Sequence, residues 1–130
     1  MLSELTEFFT SYRNAWDRFS GADIAAHYRI PTIIMDGDGL NTYTSREELV
    51  SKLQTNCDTF KNMGYRNAEF LVGHFHPCGD DAFTIDLGWR VNVASGPVEY
   101  RTAYTCAAVD AQWCIISAIS YKGSYGEDNT

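Results

Sequence analysis

Three groups of residues in this chain could do chemistry. His74 and His76, at i and i+2, share one face of an extended stretch and can act as a base or as metal ligands. No third ligand accompanies them, so no metal site is expected. His74 is kept as a candidate for proton transfer, with a solvated pair near a turn as the plainer alternative. Asp36-Gly37-Asp38-Gly39 suggests a calcium loop, but the downstream ligands and closing Glu are missing, which leaves a hairpin turn. The third group is aromatic. Tyr12 falls on a buried stripe where its hydroxyl needs a partner. Trp16, Tyr28, Trp89 and Tyr104 either line a pocket for a flat apolar ligand or fill a core.

The elements that position these residues run helices first, sheet last. Leu2, Leu5, Phe8, Phe9, Tyr12, Trp16 and Phe19 recur at helical spacing and predict a helix over 3–19, with Glu4 and Glu7 in its first turn. Ser20 can cap a short helix over 22–28, which Pro31 ends. Thr32–Met35 reads as a strand and 40–43 as its return. Ser45-Arg46-Glu47-Glu48 is a capping box opening a helix to Met63, where Gly64 can take a left-handed cap. Four long strands follow, over 65–77, 81–94, 98–109 and 112–122. Their length implies bends or bulges, with Gly73 and Gly88 as the expected places. Residues 1–122 form one domain, and the tail 123–130 is expected to be flexible.

The whole chain narrows the function classes. Its 130 residues suit one domain with a core of its own. Ten Lys and Arg against seventeen Asp and Glu, with no basic run, argue against nucleic acid as a partner. No apolar stretch is long enough for a membrane span, and no leader pattern opens the chain, so a cytoplasmic location is expected. The four cysteines show neither metal nor redox spacing, and no cofactor motif is present, so none is expected. Cys106 and Cys114 lie across a hairpin and would face each other only if its loop were odd in length. Free thiols are expected in a reducing compartment.

Alternation assigns the faces. Phe83, Ile85, Leu87, Trp89, Val91 and Val93 must face the helices, as must Tyr100, Thr102, Tyr104 and Cys106. In the last strand Trp113, Ile115, Ser117, Ile119 and Tyr121 share a side, and Ile115 and Ile119 are taken as inward. The other face, small residues dotted with Asp86, Arg90 and Arg101, suits a homodimer through the sheet.

This order of parts resembles the NTF2-like superfamily, and within it the SnoaL-like proteins. The resemblance spans Leu2 to Tyr121. It rests on the aromatic first helix, Tyr28-Arg29-Ile30-Pro31, the Asp36–Gly39 hairpin, the capping-box helix, and a sheet carrying Trp89, Tyr104-Thr105 and Trp113. It implies an α+β cone with a cystatin-like fold: a strongly curved antiparallel sheet enclosing helices, open at one end. It also implies a pocket for a small, largely apolar organic molecule. In isomerase-like members an acid ending the first strand is the base, and a first-helix tyrosine donates to the oxyanion. By position Asp36 resembles that base and Tyr12 that donor. Asp36 equally well starts an Asp-Gly turn, and Tyr12 equally well packs with one satisfied hydroxyl. The second acid that isomerases place inside the sheet is missing. Three functions remain open: a binding pocket, an acid–base isomerase, cyclase or dehydratase, and a non-catalytic dimeric interaction module.

Overall fold

The computed structural model describes residues 2–126. Helix α1 spans Leu2–Asp17 and α2 Gly21–Ala25. Strand β1 (Tyr28–Asp36) and β2 (Gly39–Tyr43) form the small hairpin, and α3 spans Arg46–Asn62. The long strands are β3 (Asn67–Pro77), β4 (Ala82–Val93), β5 (Gly96–Val109) and β6 (Gln112–Tyr121). They form one six-stranded sheet in the order β2-β1-β6-β5-β4-β3. The β1–β6 pair is parallel and the other neighbours are antiparallel. The architecture is α+β, with the N-terminal helices packed into a curved open sheet. No described helix is long and apolar enough to cross a membrane.

The caps form as their residues dictate. Ser45 Oγ accepts the Glu48 amide at 3.2 Å, as the capping box expects, and donates to Glu48 Oε1 at 3.1 Å. Gly64 takes φ +78 after the Met63 cap. Ser20 Oγ accepts the Asp23 amide at 3.0 Å. Gly21 lets α2 lie directly on α3, because a Cβ there would meet the backbone at Val50 and Gln54.

The core follows the alternation of β4, whose Phe83, Ile85, Leu87, Trp89, Val91 and Val93 are buried against Leu5, Phe9, Leu49 and Leu53. The aromatic face of α1 does not pack on the sheet alone. Phe9 meets Tyr104, with ring centroids 5.0 Å apart, but Trp16 packs edge-on to Phe60 of α3 and Phe8 to His27. Leu2, at the start of the stripe, is exposed.

Three expectations are corrected. The second helix stops at Ala25, not Tyr28, because the sheet claims the next residues. Tyr28 pairs with Ile115, the Ile115 amide donates to the His27 carbonyl, and Arg46 donates to the Ala25 and Tyr28 carbonyls. Strand β1 therefore begins at Tyr28 and runs through a cis Ile30–Pro31 bond to Asp36. Gly73 is the bulge of β3, between Val72 and His74, whereas Gly88 stays in register with Leu71 and Arg101.

The third correction concerns β6. Thr105 pairs with Ser117 but Cys106 pairs with Ile115, so Ile116 is an extra residue. From there every side chain changes face. Ala118 and Ser120 point inward opposite Tyr104 and Thr102, while Ile119 and Tyr121 point outward opposite Ala103 and Arg101. Ile119 is accordingly exposed and Ala118 buried.

Beyond β6 the chain lies against the outer sheet face at Ser124 and Tyr125, whose backbone groups bond to Arg101 and Glu99. Residues 127–130 of the expected tail lie outside the described residues. The four thiols are free. Cys106 pairs with Ile115 on the inner face, and Cys114 is opposite Ala107 on the outer one.

Candidate functional site

Between α1, α3 and the inner face of the sheet lies a cavity of about 660 Å³. Its walls include Tyr12, Trp16, Tyr28, Trp89 and Tyr104, which line it without filling it, and Asp36, Asp38 and Lys52 contribute to the same lining.

The interior is a set of neutral phenols. Tyr12, on the buried stripe of α1, has its hydroxyl 2.7 Å from that of Tyr28 on β1. Trp89 Nε1 donates to the Tyr104 hydroxyl at 3.1 Å. Tyr12 is 4% exposed, as are Tyr28 and Tyr104. Burial is the chief reason that all three phenols are pushed up from 10.0. For Tyr28 the neighbouring Tyr12 and Tyr104 add to it, while for Tyr12 the bond to Tyr28 works the other way. These groups stay protonated at neutral pH; one hydroxyl of the Tyr12–Tyr28 pair donates to the other, which leaves the other's proton and that of Tyr104 to donate. Next to them Thr102 and Ser120, paired hydroxyl to hydroxyl at 2.9 Å across β5 and β6, extend the polar wall.

The Asp36 side is ionic. Asp36 ends β1 as its strand pattern requires, and its Oδ1 accepts the Asp38 amide at 2.9 Å, which sets the hairpin turn. Its Oδ2 lies 2.9 Å from Lys52 Nζ, and Lys52 reaches Asp38 Oδ2 at 2.6 Å. The Lys52 side chain is 9% exposed. Burial alone would lower its ammonium, but the bonds to Asp38 and Asp36 outweigh it and raise it. The same contact holds the Asp38 carboxyl below 3.8. Asp36 thus starts the turn and also reaches the cavity.

The other candidates fall elsewhere. His74 pairs with Asp86 on the outer face, because the Gly73 bulge precedes it, and both His74 and His76 are exposed. Neither reaches the cavity lining. His27 bonds the Asp23 carbonyl through Nδ1 at 2.8 Å and Ser11 through Nε2 at 2.9 Å. Among the described residues no three His, Cys, Asp or Glu side chains cluster to hold a metal. Sequence reasoning missed Lys52 and Ser120. Two aspartates two residues apart in a turn call for a cation, and Lys52 flanks the Leu49–Leu53 stripe of α3, so Lys52 was within reach. Ser120 was hidden by the bulge.

A family model described as NTF2-like protein (DUF6841) matches residues 3–123. No curated protein matches the chain. Among solved structures, a domain of unknown function with a cystatin-like fold from Nostoc punctiforme is 20% identical. The match covers 93% of this chain and 76% of that one, with a TM-score of 0.77. An NTF2-like protein of unknown function from Shewanella oneidensis is 13% identical over 92% of this chain and 98% of its own, with a TM-score of 0.76. A putative calcium/calmodulin-dependent protein kinase II association domain from Xanthomonas campestris is 16% identical over 92% and 86%, with a TM-score of 0.70. Identities this low speak to the fold alone.

Proposed function

The chain belongs to the NTF2-like protein family DUF6841, and from that premise we propose that it binds a small, largely apolar organic molecule inside the cone. The observation that carries this is the cavity. Its volume of about 660 Å³ suits one small molecule, and its aromatic walls carry a few fixed hydroxyls. The ligand is a flat molecule whose oxygens meet Tyr12, Tyr28, Tyr104, Thr102 and Ser120. Cytoplasmic residence, with its reducing conditions, agrees with the four free thiols.

The test is a thermal-shift screen of planar oxygenated compounds, repeated on Ala118→Trp. Ala118 lies in the lining, so the larger side chain fills the space. Stabilisation by a compound, abolished in Ala118→Trp, is the expected result. A failure of every compound, together with no carried-over molecule in native mass spectra, would count against the pocket.

A second reading is an acid–base enzyme, favoured by Asp36 and Tyr12 lining one cavity. Asp36 would take a proton next to a carbonyl, and Tyr12, held by Tyr28, would donate to the oxygen where charge develops. Lys52 would keep the Asp36 carboxylate oriented. His74, on the outer face, takes no part. Solvent-deuterium exchange into ketone probes, read by NMR, tests this. Exchange that survives Asp36→Asn would sink it.

Ser124 and Tyr125 cover Arg101 and Arg90, so the Asp86, Arg90 and Arg101 patch named from the sequence is not taken as the dimer face. The homodimer is proposed instead through the outer sheet face at β1 and β6. Exposed Met35 and Ile119 are neighbours across β1 and β6 there, with Ile33 on the same side. Light scattering at micromolar protein is expected to give twice 14.6 kDa. A mass near 14.6 kDa would refute it.

A further inference from the structure

Arg101 is 0% exposed although it stands on the outer face of β5. Its Nε donates to Asp86 Oδ1 at 2.8 Å, and its Nη2 lies 2.7 Å from the same oxygen in ion-pair contact. Its Nη1 donates to the Ser124 carbonyl at 3.0 Å and the Tyr125 carbonyl at 3.4 Å. The Tyr125 amide donates to Glu99 Oε1 at 2.8 Å, and the Arg90 guanidinium lies 4.3 Å from the Tyr125 ring centre. Tyr121 donates to Asp86.

The sheet is cut to receive these groups. A Cβ at Gly88 would collide with the Tyr125 carbonyl, and one at Gly73 with the Arg101 guanidinium. Gly88 is in regular register with φ outside the left-handed region, so neither turn nor bulge asks for glycine there. The room it leaves is for the strap.

We propose that the outer face of β3–β5 is a built docking groove for the chain's own segment 123–126, and that this segment latches the rim of the cavity. Glu99, Tyr121 and Lys122 line the cavity, and Glu99 and Tyr121 are also tied to the groove and its occupant. Undocking frees that side of the rim and opens the mouth. The gating half rests on the pocket reading.

The test uses full-length Gly88→Ala, which fills the groove, and Tyr125→Pro, which removes the amide donated to Glu99 at a site where the sheet is not at risk. Trypsin cleavage after Lys122 reads docking. Acrylamide quenching of tryptophan fluorescence, with Trp113 (which lies outside the cavity lining) replaced by Phe in every protein compared, reads access to Trp16 and Trp89 and needs no ligand. Both variants are expected to be cut about ten-fold faster and quenched about two-fold more strongly. Wild-type protein cut as fast as the variants would overturn the docking. Faster cutting with unchanged quenching would overturn the gating. A failure of the ligand screen alone would strike the pocket reading and leave both readouts standing.

Discussion

Lys52 Nζ lies 2.9 Å from Asp36 Oδ2, so the strand-ending acid of this cone is tied to a helix. The link joins α3 to the β1–β2 hairpin, and Asp38 shares it at 2.6 Å. Replacing Lys52 by Met leaves two carboxylates facing each other with no cation. A loss of about 1–2 kcal/mol is expected in urea unfolding, between exposed and buried pairs in size. Lys52→Met combined with Asp36→Asn should recover part of it. A Lys52→Met variant as stable as wild type would show that the pair does not hold the hairpin.

The Tyr12–Tyr28 hydroxyl pair joins α1 to β1 inside the cavity. Tyr12→Phe and Tyr28→Phe should each lose about 1 kcal/mol, and the double variant less than their sum, since both remove one bond. Additive losses would mean that the hydroxyls act separately. For a bound ligand Tyr12→Phe is expected to weaken affinity, because it removes one of the wall's donors.

What could be read from the sequence follows from how local each signal is. The capping box, the Gly64 cap, the β4 alternation and the Gly73 bulge are written in short patterns, and each appears where its pattern lies. Tyr28 was drawn into a helix because nothing local says that Ile115, far along the chain, will pair with it. Ile116 looks like one more strand residue, and only the partner strand reveals it as extra. Asp36, Tyr12, Trp16, Tyr28, Trp89 and Tyr104 were named as site candidates and line one cavity. Lys52 and Ser120, which join them, depend on tertiary placement.

The Ile116 bulge makes a sharp test of faces. With unbroken alternation Ile119 would lie in the core, and a charge there would cost several kcal/mol. With the bulge it is 41% exposed. Ile119→Lys should therefore shift unfolding of the isolated chain by no more than about 0.5 kcal/mol. Ala118→Lys, one residue away and 4% exposed, should be severely destabilised. The reverse order would refute the register. Under the homodimer proposal, Ile119→Lys should also run near 14.6 kDa.

The strap carries its own pH dependence through Glu99. Its carboxyl is held below 4.5, first by the Tyr125 amide and then by Arg90. A carboxyl depressed in the docked state contributes to docking above its ordinary value, and that contribution is lost as pH falls through the lowered one. Tyr125 amide protection, measured by hydrogen exchange against an unstructured peptide at each pH, should be steady near pH 6 and fall below 4.5. Other acids face the groove: Asp86, bound to Arg101 and Tyr121, and Glu69, 4.0 Å from Arg90. Glu99→Gln separates them. Glutamine keeps an acceptor for the amide but does not titrate, so its protection should be weaker at neutral pH and change little on acidification. If Glu99→Gln shows the same acid loss as wild type, Glu99 is not the acid clasp of the strap.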